Sequence, residues 1–164
     1  MLILIDLDGT ILNSVHPTWK TYKDGQGDCR IDDYLDRLPF FPGAKEFLQK
    51  QKEMGNTVLV ASDSHPRIVD PICKYIDCDS VSLAGKPNKV QLSSFLDSHP
   101  YYKEMVESGD CVFIGDTALD IELGRRIGIP TIWILPYSIT NEIKNEKDKV
   151  GDLMACIKMG PTYV

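Results

Sequence analysis

The sequence predicts an α/β fold built on a parallel β-sheet. Two observations predict it. Short apolar runs rich in β-branched residues recur along the chain without polar alternation, and helical patterns separate them. Runs apolar at every position suit strands covered on both faces, the usual state of a parallel sheet. Strands alternating with helices supply the crossovers that parallel strands need.

In chain order, strands are expected over Leu2 to Ile5, Thr57 to Ala61, Cys111 to Ile114 and Thr131 to Leu135. Ser80 to Leu83 is a weaker fifth. A helix is expected over Pro42 to Met54, with Pro at its first position and Gly55 just past its end. Further helices are expected over Pro66 to Tyr75, Lys89 to Leu96 and Ala118 to Ile127, the last closed by Gly128 with Pro130 beyond. Asn141 to Ile157 is a C-terminal helical candidate weakened by Gly151. The segment Asn13 to Phe41 has no clear period and reads as a loop or small inserted substructure. Its Trp19, Lys20, Tyr22, Lys23 and Arg30 read as a solvated loop with a few packing aromatics.

The chain has 164 residues, enough for a single domain over 1–164 with a sizeable core. Its net charge of -6 argues against strong affinity for nucleic acid or an anionic membrane. Five scattered cysteines, an odd number, argue against a disulfide framework. No second Cys or His pair completes a zinc site with Cys73 and Cys78. The apolar start lacks a basic flank, and no stretch is long enough to span a bilayer. A cytoplasmic location is expected.

In an open parallel sheet, ligands bind beyond the carboxyl ends of the strands. Asp6 and Asp8 end the first run, Ser62 and Asp63 the second. Lys86 follows the weak third, and Asp116 ends the fourth. Asp6 and Asp8 stand at i and i+2, on one side of an extended chain. Paired carboxylates need a cation or a proton between them. Asp116 and Asp120 share a face at a helix start. A third carboxylate brought to the first pair is hard to explain without a metal, and Mg²⁺ suits oxygen donors. Ser62 and Lys86 add the hydroxyl and positive charge that stabilise a transferring phosphoryl group. His65 and Arg67, close behind Ser62, read as helix-start residues at the rim.

These residues stand in a recognisable order. The stretch Asp6-Leu7-Asp8-Gly9-Thr10 resembles the DxDGT motif of the haloacid dehalogenase superfamily. Val58 to Ser62 resembles its second motif, Lys86 in Gly85-Lys86-Pro87 its third, and Gly115-Asp116-Thr117-Ala118-Leu119-Asp120 its fourth. The resemblance implies a doubly wound, Rossmann-like sheet and a Mg²⁺-dependent phosphatase. Asp6 would be the nucleophile, forming an aspartyl-phosphate, and Asp8 the acid and then the base. Mg²⁺ would be held by Asp6, the Asp8 backbone carbonyl and Asp116, with Asp120 in support. Ser62, Asp63 and Lys86 would bind phosphate, Gly9 would let the chain turn, and Thr10 would help orient Asp8.

Family members often carry a cap over the site. Residues 13–41 are too few for a full cap domain and permit only a flap or small helical piece. An open site is expected, taking a phosphorylated small molecule or an exposed phosphate on a macromolecule. A homo-oligomer that lends closure is compatible with this. Two alternatives are a phosphotransferase or mutase of the same superfamily, and a receiver-like phospho-aspartate signalling domain.

Overall fold

The computed structural model describes residues 1–24 and 32–134. Strand β1 (Leu2–Ile5) is wholly buried. It pairs in parallel with β2 (Thr57–Ser62) on one side, Leu2 against Thr57, and with β4 (Cys111–Gly115) on the other, Leu2 against Cys111. β3 (Asp79–Ser82) extends the sheet beyond β2, and β5 (Thr131–Trp133) beyond β4. The order is β3-β2-β1-β4-β5. The chain therefore winds outward from β1 to one edge, crosses back, and winds to the other. The crossing point lies between the carboxyl ends of β1 and β4, where such sheets leave a crevice.

Helices cover both faces. They are α1 (Pro17–Asp24), α2 (Asp32–Leu35), α3 (Ala44–Glu53), α4 (Pro66–Tyr75), α5 (Val90–Ser98), α6 (Pro100–Glu107) and α7 (Ala118–Ile127). Strand side chains alternate between the two layers. Ile3, Ile5, Val58, Val60, Val112 and Ile114 pack with Trp19 and Tyr22 of α1, with Phe47 and Leu48 of α3, and with Val69 and Ile72 of α4. Leu2, Leu4, Leu59, Ala61 and Phe113 pack on the opposite face with Leu92 and Leu96 of α5, Tyr102 of α6 and Leu123 of α7. The sheet is thus the expected doubly wound, Rossmann-like one, and no large cap stands among the described residues.

Several boundaries differ from expectation. α3 begins at Ala44 rather than Pro42, because Gly43, at φ 81°, is the N-cap. β3 starts one residue earlier than expected. The inserted segment contributes two helices, and α6 is an eight-residue helix of its own, running from Pro100 to Glu107. Its only buried side chain is Tyr102, so it carries no apolar stripe to betray it. Leu135 and the candidate helix 141–157 lie outside the described residues. Among the described residues, no helix is long and apolar enough to cross a membrane.

Candidate active site

Asp6 follows β1 directly, and its backbone N–H bonds the Ile114 carbonyl of β4 at 2.9 Å. It therefore opens into the crevice between the two central strands. Asp116 follows β4, and Asp120 sits in the first turn of α7. Oxygens of Asp6, Asp116 and Asp120 lie within 4.8 Å of one another, and all three residues are buried. Lys86 reaches this cluster from the loop after β3. Its ammonium bonds Asp6 Oδ1 closely and donates to Asp120 Oδ1 at 2.7 Å.

With all three acids ionised, one ammonium against three carboxylates leaves two negative charges unbalanced. Burial pushes the Asp6 carboxyl up to about 8, although Lys86 opposes that shift. Burial also lifts Asp116, against the bond it accepts from Thr10. Burial disfavours the charged Lys86, but Asp6 and Asp120 together outweigh it and hold its pKa above the ordinary lysine value. The cluster keeps a permanent cation and still lacks positive charge.

The loop after β1 shapes this centre. Gly9 turns at φ +89°, and a Cβ there would collide with the Asp116 carboxylate. Thr10, buried, donates from Oγ1 to Asp116 Oδ1 at 3.0 Å. Thr10 thus orients Asp116, whereas the resemblance implied that it orients Asp8. At the start of α7, Asp120 Oδ2 accepts from the Thr117 backbone N–H at 3.0 Å and from Thr117 Oγ1 at 2.6 Å. Thr117 Oγ1 in turn caps the Asp120 N–H, completing a capping box. Asp120 is therefore held by Thr117 on one oxygen and Lys86 on the other. Asp6 and Asp116 are the acids better placed to ligate an ion directly.

The remaining sequence candidates separate into different roles. Ser62 is buried, and its Oγ accepts from the Ser64 backbone N–H at 3.1 Å, which leaves its own proton to donate. Both oxygens of Asp63 accept from the Lys86 backbone N–H at 3.0 Å. The exposed Asp63 side chain thus anchors the Lys86 loop; a phosphate contact from this residue would use its backbone. The Asp8 side chain lies outside the buried acidic cluster. Its Oδ1 accepts from Trp19 Nε1 at 2.7 Å and pairs with Lys23 Nζ at 3.0 Å, while Oδ2 accepts from Ser64 Oγ at 2.6 Å. A metal contact from Asp8 is left to its backbone carbonyl. His65 caps α4 through Nδ1, which takes the Arg67 N–H at 3.1 Å.

Trp19, Lys23 and Ser64 were not legible as site residues. Trp19 is almost wholly buried and stacks on Tyr22 with ring centroids 5.3 Å apart. The inserted segment therefore supplies core as well as surface. An open cavity of about 720 Å³ lies at the mouth, bounded by Asp8, Val15, Pro17, Trp19 and Lys20 among others.

A family model for haloacid dehalogenase-like hydrolases matches residues 19–128, well over half of the chain. The chain belongs to the haloacid dehalogenase-like hydrolases. Solved structures of the same fold agree. A hydrolase from Pseudomonas syringae superposes with a TM-score of 0.62 at 15% identity, covering 99% of this chain and 100% of that one. A phosphoserine phosphatase in apo form gives 0.59 at 19% identity, covering 96% and 97%. A haloacid dehalogenase-superfamily hydrolase from Ehrlichia chaffeensis gives 0.59 at 17% identity, covering 95% and 97%. Sequence comparison with curated proteins gave no match. At these identities the structures attest the fold of this haloacid dehalogenase-like hydrolase, and its chemistry has to be argued from its own side chains.

Proposed function

We propose that this hydrolase is a Mg²⁺-dependent phosphomonoesterase working through an aspartyl-phosphate on Asp6. The observation that carries the reading is the buried convergence of Asp6, Asp116, Asp120 and Lys86, with Asp8 beside it on a separate set of donors. A nucleophile and an acid/base two residues apart, in distinct surroundings, can take distinct roles. Structures similar to this chain include a phospho-aspartyl intermediate analogue of phosphoserine phosphatase.

The site fits a divalent cation. Its donors are all oxygen, they converge, and their unbalanced negative charge is two once all three acids are ionised. Asp6, Asp116 and the Asp8 backbone carbonyl would hold Mg²⁺, supported by Asp120. Bound there, the ion would supply neutralising charge to the carboxylates and the phosphoryl oxygens.

In the first step an Asp6 oxygen attacks phosphorus, and the bond from phosphorus to the ester oxygen breaks. Asp8 passes a proton to that leaving oxygen. In the second, Asp8 takes a proton from water as the water oxygen bonds phosphorus. The bond from Asp6 to phosphorus breaks, freeing inorganic phosphate and the original carboxylate. Lys86 stays charged throughout, holding Asp6 in place and countering the phosphoryl oxygens, and the Ser62 hydroxyl donates to one of them.

The test is phosphate release from para-nitrophenyl phosphate with and without Mg²⁺. Turnover should need the ion, stop in chelator, and be lost on Asp6→Asn. Turnover that survives Asp6→Asn or continues in chelator would overturn the reading.

A further inference from the structure

The inserted segment reaches the reacting centre through one helix, and it does so at Asp8. Helix α1 places Trp19 and Lys23 one turn apart on one face. Both address Asp8 Oδ1, the indole at 2.7 Å and the ammonium at 3.0 Å. The Lys23 ammonium also lies 5.1 Å from the centre of the Trp19 ring. Trp19 is 1% exposed and Lys23 side chain 35%, so the buried indole sets the geometry and the lysine follows it. The helix is itself tied down, because Tyr22 donates from its hydroxyl to the Ile68 carbonyl of α4 at 3.2 Å.

The two oxygens of Asp8 are therefore not equivalent. An indole N–H and an ammonium can only donate, so Oδ1 is kept as an acceptor. Oδ2 meets the Ser64 hydroxyl at 2.6 Å, and a hydroxyl can either donate or accept. Oδ2 is the oxygen through which a proton can pass. We propose, on the reading of Asp8 as acid and base, that Trp19 is a positioning residue: its indole N–H fixes Oδ1 and so presents Oδ2 to the leaving oxygen. The small insertion then serves the chemistry directly, by orienting the group that protonates the leaving alcohol.

This has a consequence that mere packing does not. A para-nitrophenolate leaves without a proton, whereas a simple alkoxide needs one. Trp19→Phe keeps the aromatic packing and removes the donor. We expect it to lower kcat/KM for an alkyl phosphate such as glycerol phosphate by roughly tenfold or more. Its kcat/KM for para-nitrophenyl phosphate should fall no more than about threefold, since kcat/KM reports the phosphorylation of Asp6, which needs no acid for this ester, while the second step, common to both esters, enters only kcat. Benzothienylalanine at position 19 keeps the shape of the indole without its N–H, and should reproduce the selective loss if Phe disturbs folding. Equal losses of kcat/KM on both esters, or none on either, would overturn the proposal. A wild-type protein that hydrolyses neither ester would instead refute the phosphatase reading beneath it, and both would fall together.

Discussion

At the residue scale, Gly9 joins backbone conformation to the buried acidic cluster. Its φ of +89° is one that other residues adopt at a cost, and any Cβ there would strike the Asp116 carboxylate. Gly9→Ala should therefore lower kcat by more than about tenfold by displacing Asp116, and destabilise the fold by about 1–3 kcal/mol. Gly109→Ala is the matched control: its φ is +75°, yet nothing lies within 4 Å of the new methyl. It should show strain in a thermal melt and no change in kcat. Acids of the site were readable because strand ends and a helix start place Asp6, Asp116 and Asp120 without help from distant parts of the chain. Trp19 and Ser64 were not readable, because each reaches Asp8 across the fold, at separations of 11 and 56 residues. A tryptophan in a polar insertion carries no sign of which carboxylate its N–H will meet.

At the scale of elements, the start of α7 does two jobs with one acid. Asp120 closes the capping box with Thr117 and also holds Lys86 at 2.7 Å. Thr117→Ala removes the cap and a partner of Asp120 Oδ2, which should cost about 1–2 kcal/mol. In a chain of this size that is a fall in Tm of roughly 2–8 °C, read by calorimetry. Activity should fall with it, since Lys86 loses a fixed partner, and Thr117→Ser should restore both. The spacing from Asp116 to Asp120 was legible as shared helix-face geometry; the capping bonds from Thr117 were not part of that reading. Helices with a strong one-sided pattern, such as α4, were also legible. α6 was not, because it buries one residue, Tyr102, and α1 was legible only as the small helical piece that the insertion permits. Periodicity needs more anchors than that to rise above chance.

At the scale of the whole molecule, the sheet order follows from a chain that winds from its centre to one edge and then to the other, and this gathers the charges of three strand ends at one crevice. The same gathering should make stability depend on pH and, at the proposed Mg²⁺ site, on metal. Burial raises the Asp6 carboxyl from an unfolded value near 3.8 to about 8 in the folded, metal-free protein. Between those values the folded state holds a proton that the unfolded chain has released. The stabilisation is therefore complete below about pH 4 and is lost as pH rises through about 8. Thermal melts of metal-free protein should show this as a fall in Tm from about pH 5 to 8, beyond any contribution shared with Asp6→Asn. Acid denaturation by other carboxylates sets in at the low end, so the difference between wild type and Asp6→Asn is the quantity to follow. Mg²⁺ bound at the proposed site would act with the opposite slope, because it would bind the deprotonated acids. At a hundredfold excess over its Kd it should add about 2.7 kcal/mol near pH 8, less at pH 5, and much less to Asp6→Asn at either pH. A metal-induced rise in Tm that is equal at both pH values and untouched by Asp6→Asn would place the ion somewhere other than this crevice.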